Sequence, residues 1–192
     1  MTTLILASTS PYRRQLLERL GIDFMTAVPD VDETRLTDEA PEHMVRRLSE
    51  AKARAISAQH PNALIIGSDQ MAVCGDEVLG KPGTHDKAAT QLTRLSGRRV
   101  SFLTGLCLYD SASGRLQLDV IPFHVIFRAL DTSMIENYLR REQPYNCAGS
   151  FKSEGLGTAL FERLEGDDPT ALIGLPLIRL TRMLEQEGVR VI

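Results

Sequence analysis

The chain has 192 residues, 43 % hydrophobic and 24 % charged, with a formal net charge of −3. That balance suits one domain, or two small lobes sharing a core, and excludes a disordered chain. The small negative charge offers no general attraction to nucleic acid or an anionic membrane, and no apolar run approaches the ~20 residues that a spanning helix needs.

Met1 leads straight towards a strand, without the basic flank and apolar region of a signal peptide. Residues 4–8, LILAS, read as a buried strand. A helix is expected next, with Ser10 as N-cap, Pro11 at its first position, an apolar face of Leu16, Leu17 and Leu20, and a stop at Gly21. A second strand covers 22–28, and an acidic, irregular segment covers 29–40. A long helix runs from Pro41 to about His60, followed by a strand over 62–73. Thr84 caps a helix that stops at Gly97. Two long strands, 98–110 and 114–127, read as an antiparallel pair turning near Ser111. A helix over 132–142, a glycine-rich loop over 148–157, a short strand over 158–166 and a helix over 176–188 complete the chain. Early alternation followed by a hairpin predicts an α/β domain with a mixed sheet.

Cys74, Cys107 and Cys147 are scattered and odd in number, which reads as reduced thiols in a cytoplasmic protein. The four histidines form no metal-spaced pair, so zinc is not expected.

The informative residues are charges where the pattern asks otherwise. Arg13 and Arg14 stand in the first turn of a helix, where the partial charge favours acids. Arg14 precedes Glu18 by four, so an ordinary ion pair accounts for it. For Arg13, a bound anion between the helix N-terminus and the guanidinium would make the position favourable. Lys52 projects from the apolar stripe of Val45, Leu48, Ala55 and Ile56. It either snorkels to water or has a task, since an unpaired buried ammonium costs several kcal/mol, roughly. Asp69 and Gln70 interrupt the strand over 62–73 at a Gly67-Ser68-Asp69 step, which is either a turn or the edge of a site. Residues 75–81 match the spacing of a phosphate-binding P-loop, but Pro82 stands where Ser or Thr is required, so that reading is rejected. Lys81 can still meet phosphate as a point charge. The segment DVDET places Asp30, Asp32 and Glu33 in a loop, either solvated or as hard oxygen ligands. Together, Ser8, Ser10, Arg13, Lys52 and Lys81 as anion binders, with Glu33 and Asp69 as acids, suit a metal–triphosphate site.

The ordered set S-x-S-x-x-R-R, Asp32-Glu33, GSDQ, GKP, LSG and GSFKSEG resembles the Maf family of nucleoside triphosphate pyrophosphatases. The resemblance covers residues from about 4 to 177. It implies a single Maf-like domain over 1–192, with an elongated mixed sheet and two lobes around a deep cleft, as in the related inosine triphosphate pyrophosphatases. It also implies hydrolysis between the α- and β-phosphates with Mg²⁺ or Mn²⁺, and members that often form homodimers.

By position, Asp69 matches the catalytic base, although it could serve chiefly as a metal ligand. Ser8, Ser10, Arg13, Lys52 and Lys81 match substrate contacts, and Glu33 a carboxylate near the metal. Tyr12, Gln70 and Glu154 resemble the specificity positions of the branch that hydrolyses 7-methyl-GTP. An aromatic face suits a cationic methylated base, and a carboxylate can accept the N1–H and amine of guanine. The alternatives are a dTTP/UTP pyrophosphatase of the same family and a nucleotide-binding regulator of septum formation.

Overall fold

Alternate residues of the first strand are buried on opposite faces. Leu4 and Leu6 belong to one apolar cluster, Ile5 and Ala7 to another. A strand buried on both faces sits inside a layered sheet, not at its edge. A computed structural model of the chain describes residues 3–192, so the expected direct approach of Met1 to the strand lies outside the described residues.

In chain order the elements are β1 (Thr3–Ala7), α1 (Pro11–Glu18), β2 (Met25–Ala27), α2 (Pro41–Ala55), β3 (Ala63–Cys74), β4 (Glu77–Leu79), α3 (His85–Leu95), β5 (Arg99–Asp110), β6 (Leu116–Phe127), α4 (Thr132–Glu142), β7 (Phe161–Glu165) and α5 (Leu177–Gln186). The strand order is β2-β1-β3-β5-β6-β7, with β4 beside β3. β1 is parallel to both β2 and β3, whereas β4 and β7 run antiparallel to their neighbours, so the sheet is mixed as expected.

The chain forms two compact units. The first runs as far as Gln70 and adds Leu103–Ile121 and Asp168–Ile192; the second takes Met71–Phe102 and Pro122–Asp167. β3, β5 and β6 each contribute residues to both units. In the first, α1 and α5 cover one face of the sheet through Leu16, Leu17, Leu180 and Leu184, while Ala53 and Ile56 belong to the cluster on the other. In the second, Phe102, Phe127, Phe151 and Phe161 pack edge-to-face at centroid distances of 5.0 to 5.6 Å. No helix among the described residues is long and apolar enough to cross a membrane.

The caps expected at Ser10 and Thr84 are present, each side chain accepting a backbone N–H three residues on. Three boundaries differ from expectation by three residues or more. α2 ends at Ala55 instead of near His60, and a 3-10 turn follows over Ser57–Gln59. Between Ile56 and Pro61 the one apolar residue is Ala58, which is exposed, and Pro61 disfavours helix in the residue before it. Ala55 is exposed; the buried stripe is Val45, Leu48, Ser49, Lys52, Ala53 and Ile56, which keeps the spacing that 3.6 residues per turn demands. β2 is only Met25–Ala27, because Ile22 and Phe24 pack against the core cluster instead of extending the ladder. β7 starts only at Phe161, since Leu156–Leu160 takes a 3-10 turn.

Candidate functional site

Two glycines bring α2 unusually close to the sheet. A Cβ at Gly67 would lie 2.0 Å from the backbone oxygen of Ser49, and one at Gly105 would lie 2.3 Å from that of Val45. Only hydrogen fits between helix and strands at these points. Ser49 is fully buried there. Its hydroxyl donates to Val45 O at 2.6 Å and accepts the Asp69 N–H at 2.9 Å, so helix and strand share one side chain.

One turn further along α2, the close approach fixes Lys52. Its Nζ donates to Asp69 Oδ1 at 2.6 Å and lies 2.7 Å from Glu33 Oε1. Lys52 is only 6 % exposed, so it does not snorkel to water. Its stem fills the apolar stripe, and its ammonium is compensated by two carboxylates from β3 and the acidic loop. The Glu33 side chain remains 60 % exposed, so the cluster opens to solvent on that side.

Arg13 joins the same electrostatic group. Its N–H donates to Ser10 Oγ at 3.4 Å, and its Nε donates to Gly174 O at 2.8 Å. Burial lowers the guanidinium pKa, while the Asp69 and Glu33 carboxylates raise it. Ser8, also buried, accepts the Ser10 N–H at 3.1 Å. Ser8, Ser10 and Arg13 are therefore linked in series at the N-terminus of α1. Arg14 is apart from them, paired with Glu18 at 3.0 Å on the exposed face, as its spacing predicts. Tyr12, in the same first turn, is 36 % exposed.

Gln70 has a more structural setting than its expected role suggests. Its side-chain amide donates to Ala171 O at 2.7 Å, Thr104 Oγ1 at 3.0 Å and Leu172 O at 3.1 Å. The same turn is gripped by the Thr104 hydroxyl, on Ala171 O, and by the Ser68 hydroxyl, on Gly174 O. Gln70 can address a ligand only through its carbonyl oxygen, since its donors face the chain.

Asp32 caps its own turn, accepting the Thr34 N–H at 2.9 Å, and hydrogen bonds from Thr34 lower its pKa. Lys81 and Glu154 belong to the second unit. Both are exposed. Lys81 lines an open groove of about 400 Å³ with Lys87, Gln91 and Arg94. Glu154 accepts a 3.3 Å hydrogen bond from Ser153. The predicted residues of the first unit thus converge as Arg13, Glu33, Lys52 and Asp69, supported by Ser8 and Ser10.

Sequence reasoning missed Ser49 and the 168–174 turn. Ser49 did leave a signal, a hydroxyl inside an apolar stripe four residues after Val45. The turn left none, because Gly174 meets Arg13 across 161 residues.

A family model described as Maf-like protein matches residues 3–187. The chain belongs to the Maf family. Maf relatives named 7-methyl-GTP pyrophosphatase share most of this sequence. One from Nitrosococcus oceani is 58 % identical over 190 residues, 99 % of this chain and 96 % of the relative. One from Alcanivorax borkumensis is 60 % identical over 188 residues, 98 % and 95 % of the two chains. One from Colwellia psychrerythraea is 55 % identical over 192 residues, 100 % and 96 %. A match to a Vibrio cholerae protein of solved structure covers 74 % of this Maf chain and 72 % of that one at 9 % identity, with a TM-score of 0.35.

Proposed function

We propose that this Maf protein is a nucleoside triphosphate pyrophosphatase that hydrolyses 7-methyl-GTP to 7-methyl-GMP and pyrophosphate. The observation that carries the reading is the Lys52 ammonium held between Asp69 and Glu33, with Arg13 in their field. Cations alternating with carboxylates suit a polyanion whose reacting phosphorus must also meet a base. The names of the relatives support the same substrate.

In this reading Arg13 and Lys52 bind phosphate oxygens, with Ser8 and Ser10 shaping the helix N-terminus behind them. Asp69 accepts the proton of a water attacking the α-phosphorus. The new bond forms from water oxygen to that phosphorus, and the bond to the bridging oxygen breaks, releasing pyrophosphate. Lys52 moderates the repulsion between Asp69 and the incoming anion. The family pattern assigns Lys81 to phosphate and Glu154 to the base; both side chains are exposed in their own unit, the condition for meeting a ligand. Tyr12 offers its ring to a methylated, cationic guanine.

The donor set fits Mg²⁺ or Mn²⁺. Such ions take one or two protein carboxylates and complete their shell with phosphates and water. Glu33 and Asp69 supply two hard carboxylates; among the described residues no group of three or more His, Cys, Asp or Glu is placed to hold a metal without substrate. When bound there, the ion would neutralise charge on the triphosphate.

The test is pyrophosphate release from a panel of nucleoside triphosphates, with and without 7-methylation, by the wild type and Asp69→Asn. The expected result is a preference for 7-methyl-GTP and a loss of at least about 10³-fold in the variant. Preference for dTTP or UTP overturns the substrate assignment. Release from no nucleotide overturns the enzyme reading and favours a regulator.

A further inference from the structure

Glu33 sits in a loop with no regular secondary structure, yet its carboxylate reaches Lys52. Something other than a helix or strand must hold that loop. Arg47, five residues before Lys52 on α2, provides the hold. Its Nη2 donates to Thr34 O, the carbonyl next to Glu33, at 3.2 Å. Its guanidinium also grips Glu39 in a forked pair, Nε to Oε1 at 2.6 Å and Nη2 to Oε2 at 2.8 Å. Glu39 then closes the loop on itself. Its Oε2 accepts the Leu36 N–H at 3.1 Å, and its carbonyl accepts from Arg35 Nε at 2.9 Å. Asp38, in the left-handed conformation at φ 55°, makes the bend that turns Glu39 back.

The result is a strut. The loop is pinned to α2 by Arg47 and meets the same helix again where Glu33 touches Lys52. A two-toothed guanidinium–carboxylate pair fixes direction as well as distance, which a single-point ammonium would not. The Glu39 carboxyl is held down to about 2, chiefly by its hydrogen bond from Arg47. The pair therefore stays ionic at any working pH.

We infer that Arg47 and Glu39 are positioning residues for the reaction, fixing the Glu33 carboxylate beside Lys52 and Asp69. The inference rests on the pyrophosphatase reading and adds two residues to it that do not touch substrate. Partners that orient a working carboxylate typically cost 10- to 100-fold in activity or metal affinity when removed, roughly.

The experiment is a double-mutant cycle on the full chain with 7-methyl-GTP and Mg²⁺. Glu39→Gln and Arg47→Lys are each made alone and in a Glu33→Gln background. Each single change is expected to lower kcat/KM about tenfold, and to cost less than about twofold once Glu33 is already Gln. An equal cost in both backgrounds, or none in either, overturns the inference. A merely structural role would not disappear with Glu33. Amide exchange on the same proteins reads the loop without turnover. Faster exchange over residues 32–36 in Glu39→Gln supports the strut even if the wild type hydrolyses no nucleotide, an outcome that would sink only the pyrophosphatase reading. Unchanged exchange overturns the strut.

Discussion

Lys52 shows why one residue type can be read two ways from sequence and only one way in space. Its position within an apolar stripe is visible in the spacing, but whether its head meets water or a partner depends on residues 17 and 19 positions away. The partners are Asp69 and Glu33, at 2.6 and 2.7 Å. Breaking a largely buried pair leaves an uncompensated charge, which costs more than the pair contributes when intact. Lys52→Met therefore abolishes turnover and also destabilises the fold by on the order of 3 kcal/mol, read from urea denaturation. Adding Asp69→Asn to Lys52→Met should restore part of that loss, because the stranded carboxylate is then gone. A Lys52→Met protein as stable as the wild type would show that the pair is not held as described. Arg14 and Asp32 are the contrasting cases. Each is satisfied within its own turn, so local spacing suffices to place it.

At the scale of elements, the site depends on how closely α2 approaches β3 and β5. Gly67 and Gly105 permit that approach, and Ser49 joins the helix to Asp69. Gly67→Ala would put a methyl group 2.0 Å from a backbone oxygen, with no flexible side chain to give way. The helix must move off the sheet, at a cost of about 3 kcal/mol or more. The expected outcome is a lowered urea midpoint together with a kcat/KM loss exceeding what the stability change explains, since Lys52 no longer meets Asp69. A folded Gly67→Ala protein with full activity would refute this account of how the site is set. The glycine itself stands plainly in the sequence, before Ser68 and Asp69. Its reason lies in the partner helix, so the step could equally be taken for a turn.

At the scale of the whole molecule, β3, β5 and β6 each supply residues to both compact units. Because each of these strands runs on along the chain from one unit into the other, opening of one unit must fray strands that the other also uses, which makes separate melting costly. Two thiols report on it. Cys107, in the first unit, is fully buried, and burial pushes its pKa up to about 12. Cys74, in the second unit, is also buried, with its pKa raised by the same cause. Both are protected as neutral thiols in the native state and should react with a thiol reagent only on opening. Labelling followed site by site in mild urea should show the two rates rising together. Cys74 reacting well before Cys107 would mean that the second unit opens alone.

Hydrophobic period, caps and punctuation made the elements legible, since these act over a few residues. Ser10 and Thr84 mark helix starts, and the alternation of Leu4, Ile5, Leu6 and Ala7 marks a doubly buried strand. The order of motifs carried the family and, through it, the acids and bases of the candidate site. Tertiary structure decided what each of those groups faces. It put the Gln70 donors on the 171–172 carbonyls, Arg13 on Gly174, and Arg47 beneath the loop that carries Glu33. The physical reason is range. Propensity and capping are local free energies written in neighbouring residues, whereas partners for a buried charge come from wherever packing brings the chain together.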